Sequence, residues 1–177
     1  MSDPRICIVG AGNLSTRRIY PYIGAAGGQL VGVCDLDIEK AERNARRFGG
    51  KVYDDMQKML SAEKPDGVMI CIDMDRHAEL SLAAMRAGVP VYVEKPPAPN
   101  AAAALEMARV SEETGSLCTV AFKKRYNVAY SRATEWLAQF PAEDRYALSI
   151  DYSSGQAKND KLRRTFLFDF AVHCIDL

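Results

Sequence analysis

Two glycines near the amino terminus have the spacing of a phosphate-binding turn. The segment GAGNLS follows the short apolar run ICIV and precedes a predicted helix, which is the context of a G-x-G-x-x-small motif. Gly10 permits a tight turn, Gly12 lets a pyrophosphate approach the backbone, and Ser15 is a small third residue that packs slightly more loosely than glycine. We predict that Gly10 and Gly12, with Asn13 and Leu14 after them, bind a dinucleotide. The alternative is a strand-to-helix corner that only happens to use glycine.

An acidic residue ends the next apolar run, QLVGVCD, 23 residues after Gly12. At that place the carboxylate of Asp35 would accept hydrogen bonds from the 2′- and 3′-hydroxyls of a ribose. The same negative charge would repel a 2′-phosphate, so we expect NAD rather than NADP. The alternative is that Asp35 caps the following helix, although Asp37 is better placed to do so.

A charged loop, YVEKPPAPN, follows a later apolar run and contains the triplet Glu94, Lys95 and Pro96. The carboxyl ends of the strands are the side on which doubly wound folds bind ligands. A lysine there can place its ammonium over the edge of a cofactor and donate a hydrogen bond to a substrate oxygen. The two prolines, Pro96 and Pro97, stiffen the loop, and Glu94 is a candidate for orienting Lys95. The alternative is an exposed charged turn.

Near the end of the chain, Asp169 and His173 are spaced so that a helix would place them on one face. A histidine with a carboxylate one turn away is suited to general acid–base catalysis near neutral pH. The alternative is a histidine whose hydrogen bonds are satisfied on a half-buried helix. No third ligand with suitable spacing accompanies the pair, so we expect no metal site.

Short apolar runs and helical patterns alternate along the chain that must position these residues. The runs are continuously apolar, which is typical of parallel strands covered on both faces. The predicted N-caps of the helices are Asp37, Asn100 and either Asp73 or Asp75, and Pro21 is predicted to break the first helix. The five runs lie at 6–10, 29–35, 66–72, 89–94 and 116–122.

This alternation predicts an α/β fold, a Rossmann-type doubly wound parallel sheet. The pattern changes in the last third of the chain, where a helix is predicted at 128–139 and one half-exposed strand at 145–154. So few elements cannot enclose a core of their own. We therefore predict an NAD(P)-binding domain at 1–122 and, at 123–177, the beginning of an incomplete α+β substrate domain.

Composition excludes several classes of function. The 177 residues are 48% hydrophobic and 26% charged, and 23 Lys and Arg balance 23 Asp and Glu, so we expect neither a nucleic-acid partner nor a membrane partner. The dispersed basic pairs are read as solvated helix faces. Five widely spaced cysteines form no CxxC pair and are read as small buried residues. With no signal peptide and no spanning segment visible, we expect a reduced, cytoplasmic protein.

Taken together, the motifs resemble the Gfo/Idh/MocA oxidoreductases, which include glucose–fructose oxidoreductase and inositol dehydrogenase. The resemblance rests on the glycine turn, the acidic Asp35, Glu-Lys-Pro at 94–96, Arg-Tyr-Asn at 125–127 and Asp-x-x-x-His at 169–173. It covers essentially the whole chain, in the same order.

The resemblance implies roles for individual residues. Lys95 would contact both the substrate and the nicotinamide ribose, and His173 would accept the proton of a substrate hydroxyl with Asp169 assisting. Hydride would pass between the nicotinamide and a carbon of a sugar, sugar derivative or polyol. It also implies a larger second domain that shapes the sugar pocket and forms a homo-oligomer. Further cofactor-binding positions implied by the resemblance are Ile72, His77, Glu94 and Pro96.

The sequence departs from the family pattern at two places. Asp-Met-Asp at 73–75 stands where Thr-Pro-Asn is usual, although His77 keeps its position. Arg-Arg-Thr at 163–165 replaces a glycine cluster, which suggests an anionic sugar as substrate. A non-catalytic dinucleotide-binding or regulatory protein therefore remains an alternative. A methyltransferase with a similar glycine turn is a weaker one, because Glu-Lys-Pro has no role there.

Overall fold

The computed structural model describes residues 2–144, 149 and 171–176 of the chain. Its contacts divide the chain into two compact units, Met1–Ala121 and Phe122–Leu177. The predicted strand at 145–154, except for one residue, lies outside the described residues. So do Asp169 and the Arg-Arg-Thr segment.

Six parallel strands form one sheet in the order β3-β2-β1-β4-β5-β6. This is the order of a doubly wound Rossmann sheet, so the predicted fold class is confirmed. The order reverses between β1 and β4, and ligands bind in the crevice that such a reversal opens at the carboxyl ends of the strands. The strands are β1 (Arg5–Val9), β2 (Gln29–Cys34), β3 (Lys51–Tyr53), β4 (Gly67–Ile70), β5 (Val91–Val93) and β6 (Cys118–Val120).

Helices connect the strands, and two of them begin at the predicted caps. The side chain of Asp37 accepts a hydrogen bond from the backbone N–H of Lys40, and that of Asn100 accepts one from Ala103. Pro21 lies in the first turn of a second short helix, so the predicted break is confirmed. The helices are α1 (Asn13–Arg18), α2 (Tyr20–Ile23), α3 (Ile38–Phe48), α4 (Met56–Glu63), α5 (His77–Arg86), α6 (Ala101–Thr114), α7 (Val128–Leu137) and α8 (Val172–Ile175).

The predicted cap of α5 was wrong. A 3₁₀ turn, Met74–Arg76, runs directly into the helix, so the N-cap residue is Arg76 and no aspartate side chain caps it. Two elements were also missed, strand β3 and helix α4. Strand β3 has only three residues and no continuous apolar run. Helix α4 is capped by Asp55, whose carboxylate accepts from the Lys58 N–H at 2.8 Å.

The core lies on both faces of the sheet because neighbouring residues of a strand point to opposite sides. Ile8 belongs to a cluster with residues of α2 and α3, whereas Cys7 belongs to a larger one with residues of α4, α5 and α6. The buried cysteines behave as small apolar residues. Burial raises the pKa of the Cys7, Cys34 and Cys71 thiols to about 12, so all three stay protonated at neutral pH.

One buried carboxylate holds the two missed elements against the rest of the sheet. Glu63, at the end of α4, has a side chain only 6% exposed and lies 3.1 Å from the Arg5 guanidinium and 3.0 Å from the Lys51 ammonium. Tyr53 donates its hydroxyl to Glu63 Oε1 at 2.6 Å. The hydrogen bonds from Tyr53 and Lys51 lower the pKa of Glu63, and the same carboxylate raises the pKa of Tyr53 to about 12.

We predict that Glu63→Gln removes part of the acid dependence of folding. Because the pKa of Glu63 is lower in the folded chain, its contribution is complete above the ordinary glutamate pKa and is lost as the pH falls through the folded value. Near neutral pH the substitution should cost about 1–3 kcal/mol. Denaturant unfolding across a pH series checks this, with the exposed Glu112→Gln as control. An equal loss at acidic and neutral pH would contradict it.

Candidate functional site

A cavity of about 750 Å³ opens at the carboxyl ends of β1, β2 and β4. This is the crevice that the reversal of strand order creates. Besides the predicted residues, its wall includes Leu36, Lys40, Arg76 and Glu79, which the sequence analysis did not single out. The predicted residues on the wall are Gly10, Gly12, Asn13, Leu14, Asp35 and Ile72.

Gly10 is required by the backbone itself. Its φ is +106°, a region that residues with a side chain rarely adopt, and a Cβ there would lie 2.2 Å from the carbonyl oxygen of Cys71. Its N–H donates to the carbonyl of Cys34 at 2.8 Å. Gly10 therefore joins the ends of three strands at the switch point, and no larger residue fits.

Gly12 is different, because none of the residues that the structure describes requires glycine there. Its φ of −75° suits any residue, and a Cβ would have no atom within 4 Å. The space in front of Gly12 is part of the cavity. A glycine that neither conformation nor packing demands fits a ligand that must come close to the backbone, which is what a pyrophosphate does. The residues present therefore fit a dinucleotide.

Ser15 corrects the expectation of looser packing. The side chain is 1% exposed, and its hydroxyl lies 2.8 Å from the Gly10 carbonyl and 3.1 Å from that of Gly12. The Tyr20 hydroxyl donates to the same Gly10 carbonyl at 3.3 Å. The hydroxymethyl group thus ties helix α1 to the glycine turn through the two backbone carbonyls that it contacts.

Asp35 joins two turns at the cavity. One carboxylate oxygen accepts from the N–H of Ala11 at 2.6 Å, and the other accepts from that of Asp37 at 2.9 Å. Asp37, not Asp35, caps the next helix. Each carboxylate oxygen can accept more than one hydrogen bond, so Asp35 keeps capacity for ribose hydroxyls.

The Glu-Lys-Pro loop follows β5 at the same edge of the sheet. The Glu94 N–H donates to the carbonyl of Ile70, and a Glu94 carboxylate oxygen accepts from the backbone N–H of Lys95 at 3.2 Å. The Lys95–Pro96 peptide bond is cis. Glu94 and Lys95 are half-buried and Pro96 is buried, so the alternative of an exposed charged turn does not describe this loop. None of the three forms the wall of the cavity described above.

His77 lies beneath this loop. It is 1% exposed, and its ring nitrogens lie 2.7 Å from the Pro96 carbonyl oxygen and 3.1 Å from that of Ile72. It is therefore not on the cavity wall, and direct contact with a cofactor is not the role that this placement favours.

Of the predicted acid–base pair, Asp169 and His173, the structure describes only the backbone of His173. Asp169 lies outside the described residues, and the backbone of His173 belongs to helix α8. Three residues further on, Asp176 forms a two-pronged ion pair with Arg125, whose Nε lies 2.8 and 3.0 Å from the carboxylate oxygens. This pair was missed, because nothing in the sequence links residues 51 positions apart.

Two kinds of feature, a membrane-spanning helix and a metal-binding cluster, are absent from the part of the chain that the structure describes. There, no helix has the length and apolar character needed to cross a membrane. Among the same residues, no group of three or more His, Cys, Asp or Glu side chains is arranged to hold a metal ion.

The cavity and the strand order define a dinucleotide-binding domain, and comparison with known proteins gives the family. Residues 4–122 match the model of the Gfo/Idh/MocA family, an oxidoreductase family with an NAD-binding Rossmann fold. The match covers most of the chain, so the chain belongs to this family and the resemblance inferred from the motifs is confirmed.

Individual relatives agree. D-glucoside 3-dehydrogenase of Escherichia coli K12 is 36% identical over 127 residues, which are 71% of this chain and 36% of that protein. Inositol 2-dehydrogenase 4 of Saccharopolyspora erythraea is 29% identical, over 97% of this chain and 52% of its own length. The solved myo-inositol 2-dehydrogenase of Lactobacillus plantarum superposes with a TM-score of 0.69 at 28% identity, covering 77% of this chain and 41% of that one. The chain spans between a third and about half of these relatives.

The two glycines give a matched pair of variants. We predict that Gly12→Ala lowers the free energy of unfolding by no more than about 1 kcal/mol, because its Cβ points into open space and alanine is only a poorer N-cap residue for α1. It should weaken NAD binding at least about tenfold. Gly10→Ala should instead cost about 2 kcal/mol or more in folding. Thermal unfolding and calorimetric titration with NAD separate the two effects. Unchanged NAD affinity in a folded Gly12→Ala chain would mean that the turn is only a corner.

Proposed function

We propose that this chain is the dinucleotide-binding part, with the start of the substrate domain, of an NAD-dependent dehydrogenase. It would transfer hydride between the nicotinamide and a hydroxyl-bearing carbon of a sugar, sugar derivative or polyol. The observation that carries the proposal is the open space in front of Gly12, on the wall of the cavity at the switch point of the Rossmann sheet. The dehydrogenase names of its sugar and inositol relatives support the substrate class.

The chemistry divides between two groups of residues. NAD, when bound, supplies the acceptor for the hydride. A ring nitrogen of His173 takes the proton of the substrate hydroxyl, and Asp169 favours the charged imidazolium that results. Lys95 offers a cation to the oxygen that gains negative charge as its proton leaves. The half-buried position of Lys95 on a loop at the ligand-binding edge supports this role.

The charges at the end of β2 favour NAD over NADP. Asp35 carries its negative charge on the cavity wall, where a 2′-phosphate would be repelled. Lys40, the cation of α3 that lies on the cavity wall, is 2.8 Å from a carboxylate oxygen of Asp37. This ion pair raises the pKa of Lys40 and lowers that of Asp37, so much of the lysine charge is already compensated.

The remaining parts of the proposal concern the whole protein. Residues 123–177 would begin the substrate domain, through which the full-length protein would form a homo-oligomer. We propose a cytoplasmic location, which is supported by the four free cysteines among the described residues, because free thiols are usual in a reducing compartment. The Arg-Arg-Thr segment favours an anionic sugar among the possible substrates.

Removing the Asp35 charge should change the choice of cofactor. We predict that Asp35→Asn weakens NAD binding by about tenfold and binds NADP no worse than the unaltered chain does, so the preference for NAD narrows. The amide oxygen of Asn can still accept from the N–H of Ala11, which keeps the turn in place. Calorimetric titration with both dinucleotides gives the ratio of the NAD and NADP affinities. Exposed Asp75→Asn serves as control, and an unaltered ratio in Asp35→Asn would remove Asp35 from cofactor selection.

Turnover is the direct test of the proposed activity. We predict that the full-length protein that contains this chain reduces NAD with a member of a panel of sugars, sugar acids and inositols, and that Lys95→Ala abolishes this turnover. Because Lys95 is proposed to contact the nicotinamide ribose as well as the substrate, Lys95→Ala should also weaken NAD binding, by about tenfold. The exposed Lys58→Ala is the matched control. If the full-length protein binds NAD but transfers no hydride to any member of the panel, the non-catalytic alternative is favoured.

A further inference from the structure

We propose that His77 is a positioning residue that fixes the loop carrying Lys95 at the ligand-binding edge of the sheet. The inference rests on the proposed function of Lys95. It assigns to His77 a mechanical role in place of contact with the cofactor.

The ring joins two loops at the ligand-binding edge of the sheet. His77 begins α5, and its Nδ1 lies 2.7 Å from the carbonyl oxygen of Pro96, a residue 19 positions away in the loop after β5. Its Nε2 lies 3.1 Å from the carbonyl oxygen of Ile72, in the loop after β4. Pro96 is the next residue after Lys95. A shift of this carbonyl therefore moves the backbone that carries the lysine side chain.

Hydrogen-bond chemistry decides which contact matters more. A neutral imidazole has one N–H and can donate to only one of the two carbonyls. The shorter distance, 2.7 Å, assigns the proton to Nδ1 and the hydrogen bond to Pro96. Because the ring is 1% exposed, water cannot replace this donor if it is lost.

The other side of the ring faces the residues on which the glycine turn packs. Ile72 follows Cys71, whose carbonyl comes so close to Gly10 that only glycine fits. Ile72 itself lies on the cavity wall. His77 thus lies between the Lys95 loop, to which it is hydrogen-bonded through Pro96, and the strand end that also sets the position of the glycine turn.

Three substitutions separate this role from simple packing. His77→Asn places an amide N–H near the former Nδ1 and should keep the Pro96 hydrogen bond, whereas His77→Gln places it near Nε2 and should not. His77→Leu removes both. The first measurement needs no cofactor: the rate at which an amine-reactive acylating reagent modifies Lys95, followed by mass spectrometry. We expect the acylation rate of Lys95 to change at least about threefold in His77→Gln and His77→Leu and to stay near normal in His77→Asn. The acylation rate of Lys58 should be unchanged in all three variants.

A double-mutant cycle on NADH affinity tests whether His77 acts through Lys95. We expect His77→Gln to weaken NADH binding by about tenfold in the unaltered chain and by less than about twofold beside Lys95→Met. Equal losses in both backgrounds, or equal behaviour of Asn and Gln in the acylation rates, would overturn the positioning role. Failure of the unaltered chain to bind NADH would instead overturn the proposed function, while the acylation rates would still decide the role of His77.

Discussion

The close approach of Gly10 to the end of β4 is the constraint on which the rest of the site depends. The turn after β1 must pass so near the Cys71 carbonyl that a single Cβ would collide with it at 2.2 Å. The Gly10 N–H donates to the carbonyl of Cys34 at the end of β2. The Gly10 carbonyl accepts hydrogen bonds from the hydroxyls of Ser15 and Tyr20. Three strands and the first helix are thus fixed around one residue, which leaves Gly12 facing the cavity.

Asp35 illustrates how a binding group can be held in place before its ligand arrives. Its carboxylate accepts hydrogen bonds from the turns after β1 and β2, so its orientation is set by the backbone on both sides. In the proposed role, a negative charge held in this way would discriminate between dinucleotides without reorganising when one of them binds. Because of the hydrogen bond from Ala11, Asp35 also helps to fix the shape of the glycine turn, in addition to placing a negative charge beside it.

Features encoded by neighbouring residues were predictable from the sequence, and those that depend on distant contacts were not. The glycine turn, the acidic end of β2 and the caps at Asp37 and Asn100 are local patterns, and the structure has each of them. Strand β3 is too short to have a pattern, and its anchor, Glu63, is recognisable only once Tyr53 and Lys51 lie beside it. The aspartates before α5 failed as caps because a 3₁₀ turn takes the place of the extended N-cap residue.

The two histidines of the chain make the division of labour clearer. A general base needs a ring nitrogen that can reach a substrate hydroxyl. His77 does not meet this requirement, because its ring is buried and both nitrogens face backbone carbonyls. Of the two histidines in this chain, His173 is therefore the one to which the proposed proton transfer is assigned. In the proposed site, His77 would hold the loop of Lys95 in place and His173 would accept the proton of the substrate hydroxyl. The two histidines would therefore serve the same reaction in different ways, one through the backbone and one through its ring nitrogen.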